Sequence, residues 1–269
     1  MFIVTRPPTG CKLGRFLDDE GYRHVPVLHD NRTTGTMKPN YGIDAPIVVR
    51  NMLLVGAVFL AMGFLVPAPD PFGICCIWVG GSFLVTAGLM VSGSKFFKVR
   101  LRDKLVGSLK LKGTERVLDM GCGRGLLLIG LAKRLPHGRA IGIDLWQKVD
   151  QSANDIEVTR TNARLAHVED STEVVTGDMR DMPFDSESFD VVVSSWAIHN
   201  IPDTAGRDQA IQEAVRVLKP GGKLVIVDIF ASKEYARKLA ELKMLNVILS
   251  GPNFLFVIPT RVVTAKKTG

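Results

Sequence analysis

Hydrophobic positions along this chain follow two different rhythms. Residues 52–69 and 71–94 contain no charged side chain, and only Asp70, among Pro67, Pro69 and Pro71, separates the two runs. Each reaches the roughly 18 residues at which a membrane-crossing helix becomes the default reading. The first, MLLVGAVFLAMGFLVPAP, ends in prolines. The second, FGICCIWVGGSFLVTAGLMV, carries Gly80-Gly81 and Ala87-Gly88, small pairs that let a neighbouring helix approach closely. A hairpin over 47–93 is expected, with spans near 50–68 and 72–92. The competing reading is a pair of buried core helices, which seldom lack every charge over such lengths.

From about residue 113 the rhythm changes to short apolar strands alternating with amphipathic helices. ERVLDM and AIGID read as strands around a helix, LLLIGLAKRL, that stops at Pro136 and Gly138. A polar helix near 154–166 precedes EVVTGD and FDVVVSS. DQAIQEAVRVL then puts Ile211, Ala214, Val215 and Leu218 on one helical face, ended by KPGG. KLVIVDIF is the unbroken apolar strand of a sheet covered on both faces. A helix near 233–243 and two strand-like runs, LNVILSG and TRVVTAKK, close the chain. Strands separated by helices predict a parallel, doubly wound α/β sheet that binds ligands at the carboxyl ends of its strands. Between hairpin and sheet, SKFFKVRLRDKLVGSLKL alternates basic and apolar residues on a helical period and predicts an interfacial helix over 94–112. Residues 1–46 are mixed polar and read as an irregular tail. The α/β domain then covers 113–269.

Charge orients the hairpin. Arg50 precedes the first run, Lys95, Lys98, Arg100, Arg102 and Lys104 crowd after the second, and the connecting turn carries only Asp70. The positive-inside rule puts both flanks, both termini and the α/β domain on the cytosolic side of a two-span membrane protein. The same cluster accounts for much of the +7 net charge. Anionic headgroups of membrane lipid are its natural partner, and no nucleic acid is needed to explain it. A secretory signal is not expected, because the apolar run begins after about 50 polar residues. Four cysteines, Cys11, Cys75, Cys76 and Cys122, have no zinc-site spacing, so no metal is expected.

The chemistry concentrates in VLDMGCGRG, residues 117–125, where a strand runs into three glycines, Gly121, Gly123 and Gly125. A dinucleotide fingerprint would need a glycine where Leu126 stands, and a phosphate loop would need a following Lys-Ser/Thr pair. Asp119 adds negative charge, which would repel a pyrophosphate and suits a ligand bearing an ammonium and a sulfonium. VLDMGCGRG resembles the first motif of the class I S-adenosylmethionine-dependent methyltransferases, and AIGIDLW, TGDMRDMPF, FDVVVSSWAIHNI and RVLKPGGKLVIVD resemble the later ones in order. Over about 115–267 the likeness is to the ubiquinone/menaquinone and sterol methyltransferase branch. It implies a Rossmann-like seven-stranded sheet, mostly parallel with an antiparallel final strand, and S-adenosylmethionine as cofactor.

The resemblance also implies roles for single residues. Asp119, Gly121, Gly123 and Gly125 would line the cofactor, Asp144 would bind the ribose hydroxyls, and Leu145 would lie against adenine. Asp178 would meet the adenine amino group with Met179 beside the ring, and Ser195 would end the strand next to the methyl group. Trp146 and Trp196 read as wall aromatics. His199 follows the fourth strand and is the candidate base, or a loop-orienting hydrogen bonder. SSWA stands where nucleobase and exocyclic-amine methylases carry an N/D-P-P-Y/F signature. The expected function is in-line methyl transfer to a small, lipophilic acceptor. The alternatives are a membrane-tethered protein or RNA methyltransferase and a non-catalytic scaffold that retains cofactor binding.

Overall fold

A computed structural model describes residues 37–67, 70–146, 154–253 and 259–269. The expected tail therefore lies largely outside the described residues, from 1 to 36. Two long helices come first, α1 (Pro46–Leu65) and α2 (Pro71–Ser92). Proline occupies the first turn of each, where its missing amide is harmless. Asp70 caps α2 by accepting a hydrogen bond from the Phe72 amide at 2.8 Å. The helices pack through glycine. A Cβ on Gly80 would fall 2.7 Å from the Gly56 carbonyl and 2.8 Å from the Leu60 amide, and one on Gly63 would meet the Gly73 carbonyl at 2.8 Å. Of the two small pairs in the second run, Gly80 and Ala87 face α1, whereas Gly81 and Gly88 face open space.

Both helices are long and apolar enough to cross a membrane, and only 17% of each apolar window is buried. Phe64 and Trp78 are 75% and 76% exposed, and Leu54 and Val85 point outward as well. Burial in a protein core is therefore not what keeps these helices free of charge. After α2 the helix widens into one π-turn (Gly93–Phe97) and continues as α3 (Lys98–Leu109).

The remainder is a seven-stranded sheet in the order β3-β2-β1-β4-β5-β7-β6. Its strands are β1 (Arg116–Met120), β2 (Arg139–Asp144), β3 (Thr172–Thr176), β4 (Phe189–Ser195), β5 (Leu218–Asp228), β6 (Leu245–Leu249) and β7 (Arg261–Lys266). The first five run parallel, and β7 is antiparallel to both β5 and β6. Helices α4 (Leu126–Ala132) and α5 (Ile156–Leu165) belong to one face, α6 (Thr204–Val217) and α7 (Ser232–Glu241) to the other. β1 neighbours both β2 and β4, so the strand order reverses there. A crevice at the carboxyl ends of β1 and β4 follows.

Two expectations change. β5 starts at Leu218, because the KPGG segment stays paired with the chain's end: Gly221 donates to the Lys267 carbonyl and Lys267 to that of Gly222. The segment expected to lie along a membrane interface does something else. Leu105, Val106 and Leu109 of α3 are buried in the same core cluster as Leu127, Leu128 and Leu131 of α4. Burial against α4 is the stronger use of that apolar face, since it removes the face from water altogether. Two members of the basic cluster are likewise absorbed. Lys98 is buried, and Arg102 is paired with Asp103 at 2.8 Å and lies over the Tyr41 ring. Lys95, Arg100 and Lys104 are exposed.

Candidate functional site

The turn between β1 and α4 has a backbone only glycine adopts easily. Gly121, Gly123 and Gly125 have φ of 74°, 48° and 81°. A side chain at Gly121 would also run into the Ala197 methyl group, so the turn and the loop after β4 are in direct contact. The Gly121 and Cys122 amides donate to the Ile143 carbonyl at 2.8 and 3.2 Å, and the Gly123 amide donates to Asp144 Oδ2 at 2.8 Å. The acid that ends β2 thus shapes the turn that ends β1.

Asp119 is 1% exposed, and neither of its carboxylate oxygens has a hydrogen-bond partner within bonding geometry. Burial pushes its carboxyl up to about 7, opposed by the Leu128 backbone amide and reinforced by the Asp144 carboxylate. An unsatisfied buried acid of this kind costs stability and calls for a cationic partner. Burial also keeps the neighbouring Cys122 a neutral thiol, its pKa raised further by Asp119 and Asp144.

Asp144 accepts from Gly123, from the Trp146 amide at 2.7 Å and from Asn154 Nδ2 at 3.3 Å. A carboxylate has about four lone-pair sites, so room for a hydroxyl remains. Leu145 beside it is 45% exposed, a bare apolar surface facing the cavity. Trp146 and Trp196, each just after a strand end, both have positive φ (58° and 54°), which bulky residues adopt only under strong constraint. The Trp196 amide is held by the Val227 carbonyl at 2.8 Å, and Trp146 Nε1 by Thr176 Oγ1 at 2.8 Å. Asp178 is already engaged from its own loop. Arg180 grips both of its oxygens at 2.6–3.0 Å and holds its pKa below the usual carboxylate range. Met179 packs at Gly121 and lines the cavity.

His199 sits in a short helical turn (Ile198–Asn200) after β4. Its Nδ1 lies 2.6 Å from Asp228 Oδ1, a close contact off the axis of an aligned hydrogen bond. Asp228, 1% exposed at the end of β5, also accepts from the His199 amide, the Tyr235 hydroxyl (both 3.2 Å) and the Ile229 amide (2.8 Å). The adjoining carboxylate and the burial of the ring push the Tyr235 hydroxyl far above its ordinary value. Asp228 is not among the residues that the sequence singled out for the site. Its signal was an acid at the end of an apolar strand, the same signal that singled out Asp144.

One cavity of about 650 Å³ joins these groups. It is lined by Asp119, Gly121, Gly123, Asp144, Leu145, Asp178, Met179, Ser195, Trp196 and His199; of the residues expected there, Gly125 and Trp146 do not border it. Gly125 lies one step behind, as the residue that starts α4. The lining also includes residues that sequence reading did not assign to a site, from the ends of α1 and α2 nearest the sheet.

Comparison with known proteins agrees with this geometry. Residues 118–226 match the family described as Methyltransferase domain. A demethylmenaquinone methyltransferase from Lactobacillus johnsonii is 34% identical over 128 residues, 47% of this chain and 49% of the relative. A 27-O-demethylrifamycin SV methyltransferase from Amycolatopsis mediterranei is 36% identical over 129 residues, 48% of this chain and 44% of the relative. The chain thus spans about half the length of the curated relatives it matches. Among solved structures, the [4+2]-cyclase SpnF superposes with a TM-score of 0.54 at 18% identity, covering 63% of this chain and 81% of that one. At that identity the likeness concerns fold alone.

Proposed function

We propose that this chain, whose α/β domain is a class I S-adenosylmethionine-dependent methyltransferase domain, transfers a methyl group to a small lipophilic acceptor while α1 and α2 hold it in a membrane. The observation that carries the reading is the shared cavity, where a glycine turn over an unpartnered buried acid meets a His–Asp pair. The residues fit the cofactor. Asp119 and the glycine turn would hold its cationic methionine end, and Asp144 its ribose hydroxyls. Leu145 and Met179 would flank the adenine. Asp178 would meet the adenine amino group by sharing the oxygens it now gives to Arg180.

When bound, S-adenosylmethionine supplies an electrophilic methyl group on a sulfonium. The chain's own contribution is orientation: the loop from Ser195 to His199 sets the acceptor's nucleophilic atom about 3–3.5 Å from the methyl carbon and keeps water away. For a hydroxyl acceptor, His199 takes the proton at Nε2, since Nδ1 is engaged by Asp228. Asp228 is a positioning residue that also offsets the charge gained by the ring. The acceptors in the names of the two relatives, demethylmenaquinone and 27-O-demethylrifamycin SV, support a small-molecule acceptor. The outward-facing apolar helices support a membrane location, and the basic residues on their flanks support a cytosolic site.

The test uses the full chain in phospholipid vesicles. Calorimetry is expected to give one S-adenosylmethionine site, and bilayer-dissolved quinols are expected to be methylated in preference to water-soluble metabolites. Cofactor binding without methylation of any acceptor would leave a non-catalytic scaffold. Methylation confined to protein or RNA would replace the small-molecule reading.

A further inference from the structure

We infer that the acceptor reaches the cavity sideways, from the apolar phase around the hairpin, through a mouth between the first turn of α1 and the last turn of α2. Its substrate class is then an amphiphile whose polar head stands at Ser195–His199 while its apolar tail lies against the exposed Ile47, Val48 and Leu89 at the mouth. The inference rests on the methyltransferase reading above and adds to it the route and the shape of the acceptor.

Four observations carry it. The cavity that holds the site residues continues without a break to Ile47 and Val48 of α1 and Leu89 and Met90 of α2. Ile47, Val48 and Leu89 are exposed although they are apolar. They therefore form an exposed apolar lip on the cavity where it borders the hairpin.

The second observation is that the lip is built rather than accidental. Residues 40–44 form a strap tying it to the cofactor floor. The Asn40 amide donates to Asn162 Oδ1 of α5 at 2.9 Å, and the Asn40 carbonyl accepts from Asn162 Nδ2 and from Arg124 Nε of the glycine turn, both at 3.0 Å. At the other end the buried Lys98 Nζ donates to the Tyr41 and Gly42 carbonyls at 2.9 Å and pairs with Asp44 at 3.3 Å. Ser94 closes the loop: its hydroxyl donates to Asp44 Oδ2 at 2.9 Å and accepts from the Asp44 amide at 3.0 Å. The mouth is thereby held in register with the glycine turn.

Thirdly, the strap enters α1 through Ala45, whose φ of 46° puts a non-glycine residue in the left-handed region. Such backbone persists only where the surroundings impose it. Fourthly, the π-turn (Gly93–Phe97) lies where α2 leaves the hairpin, and its Gly93 and Ser94 line the cavity. A π-turn inside an α-helix costs hydrogen-bond geometry and recurs at functional sites. A wall between hairpin and domain would need none of these devices.

The experiment reconstitutes the full chain in phosphatidylcholine vesicles with S-adenosylmethionine. The probes are a hydroquinone with a ten-carbon alkyl tail, the same head without a tail, and a tailed hydroquinone carrying a diazirine on its ring. The tailed head is expected to be methylated with kcat/KM at least tenfold above the tail-less one, and the diazirine to label the peptide containing Ser195–His199. Val48→Trp and Leu89→Trp, which fill the mouth, are expected to lower that kcat/KM ratio at least tenfold and abolish labelling, with cofactor affinity held within twofold as the check on folding. Labelling that persists in both variants, or no labelling of that peptide in the parent chain, overturns the lateral route whether or not hydroquinones are methylated. Loss of cofactor binding in the parent chain would instead overturn the underlying methyltransferase reading.

Discussion

Asp119 and Asp228 are both acids at strand ends and both about 1% exposed, yet their surroundings differ completely. Asp228 has four partners, whereas the oxygens of Asp119 have none in bonding geometry. With its pKa raised from 3.8 to about 7, folded Asp119 holds a proton that the unfolded chain has released between those values. Its cost therefore grows as pH rises and reaches at most about 4 kcal/mol above pH 7. Asp119→Asn is expected to raise the apo melting temperature at pH 8, with the gain gone near pH 4, and to weaken S-adenosylmethionine binding at least tenfold. Thermal melts across pH, paired with calorimetry, check both halves. In the parent chain, cofactor affinity is expected to rise about tenfold per unit between pH 5.5 and 6.5, because binding requires the charged carboxylate. Asp228→Asn tests positioning. It is expected to lower kcat about 100-fold or more for a hydroxyl acceptor with KM little changed, and to shift the pH–rate profile, which a merely structural loss would leave in place.

At the scale of elements, the same kind of glycine serves two purposes. Gly121, Gly123 and Gly125 are needed for their positive φ, whereas Gly63 and Gly80 are needed because a facing backbone occupies the space of a Cβ. Gly80→Leu is expected to force α1 and α2 apart at a cost of about 1–3 kcal/mol, measurable as a lower melting temperature in detergent. Gly81→Leu, one residue on and facing open space, is expected to be neutral within about 0.5 kcal/mol. Strand and helix positions were largely legible because period and length agreed, as in the unbroken apolar KLVIVD strand and the two charge-free helices. α3 was misread. Its basic and apolar alternation fits a lipid interface and a domain surface equally well, and periodicity says that a face is covered without saying by what.

At the scale of the whole molecule, the crevice at the carboxyl ends of β1 and β4 and the hairpin are parts of one arrangement, joined by the strap from Asn40 to Asp44. Topology is tested in a chain whose four cysteines are replaced by serine. A cysteine introduced at Asp70 is expected to react with a membrane-impermeant thiol reagent from the non-cytosolic side, and one at Lys95 only after permeabilisation. Equal labelling of both in intact vesicles would mean that α1 and α2 lie on the bilayer instead of crossing it.

Local rules were enough for a good part of this protein. The period of the apolar residues decided the elements, the absence of charge set the two long helices apart, and the glycine spacing after β1 excluded a dinucleotide fingerprint and a phosphate loop. All three act over a few adjacent residues, so a linear chain displays them. What only the tertiary structure decided depends on partners far apart in sequence. Asp228 comes to His199 across 29 residues, and Lys98 reaches back across more than 50 to hold the strap. Burial is the physical reason: whether a charge is paired, orphaned or solvated depends on which groups the fold brings around it.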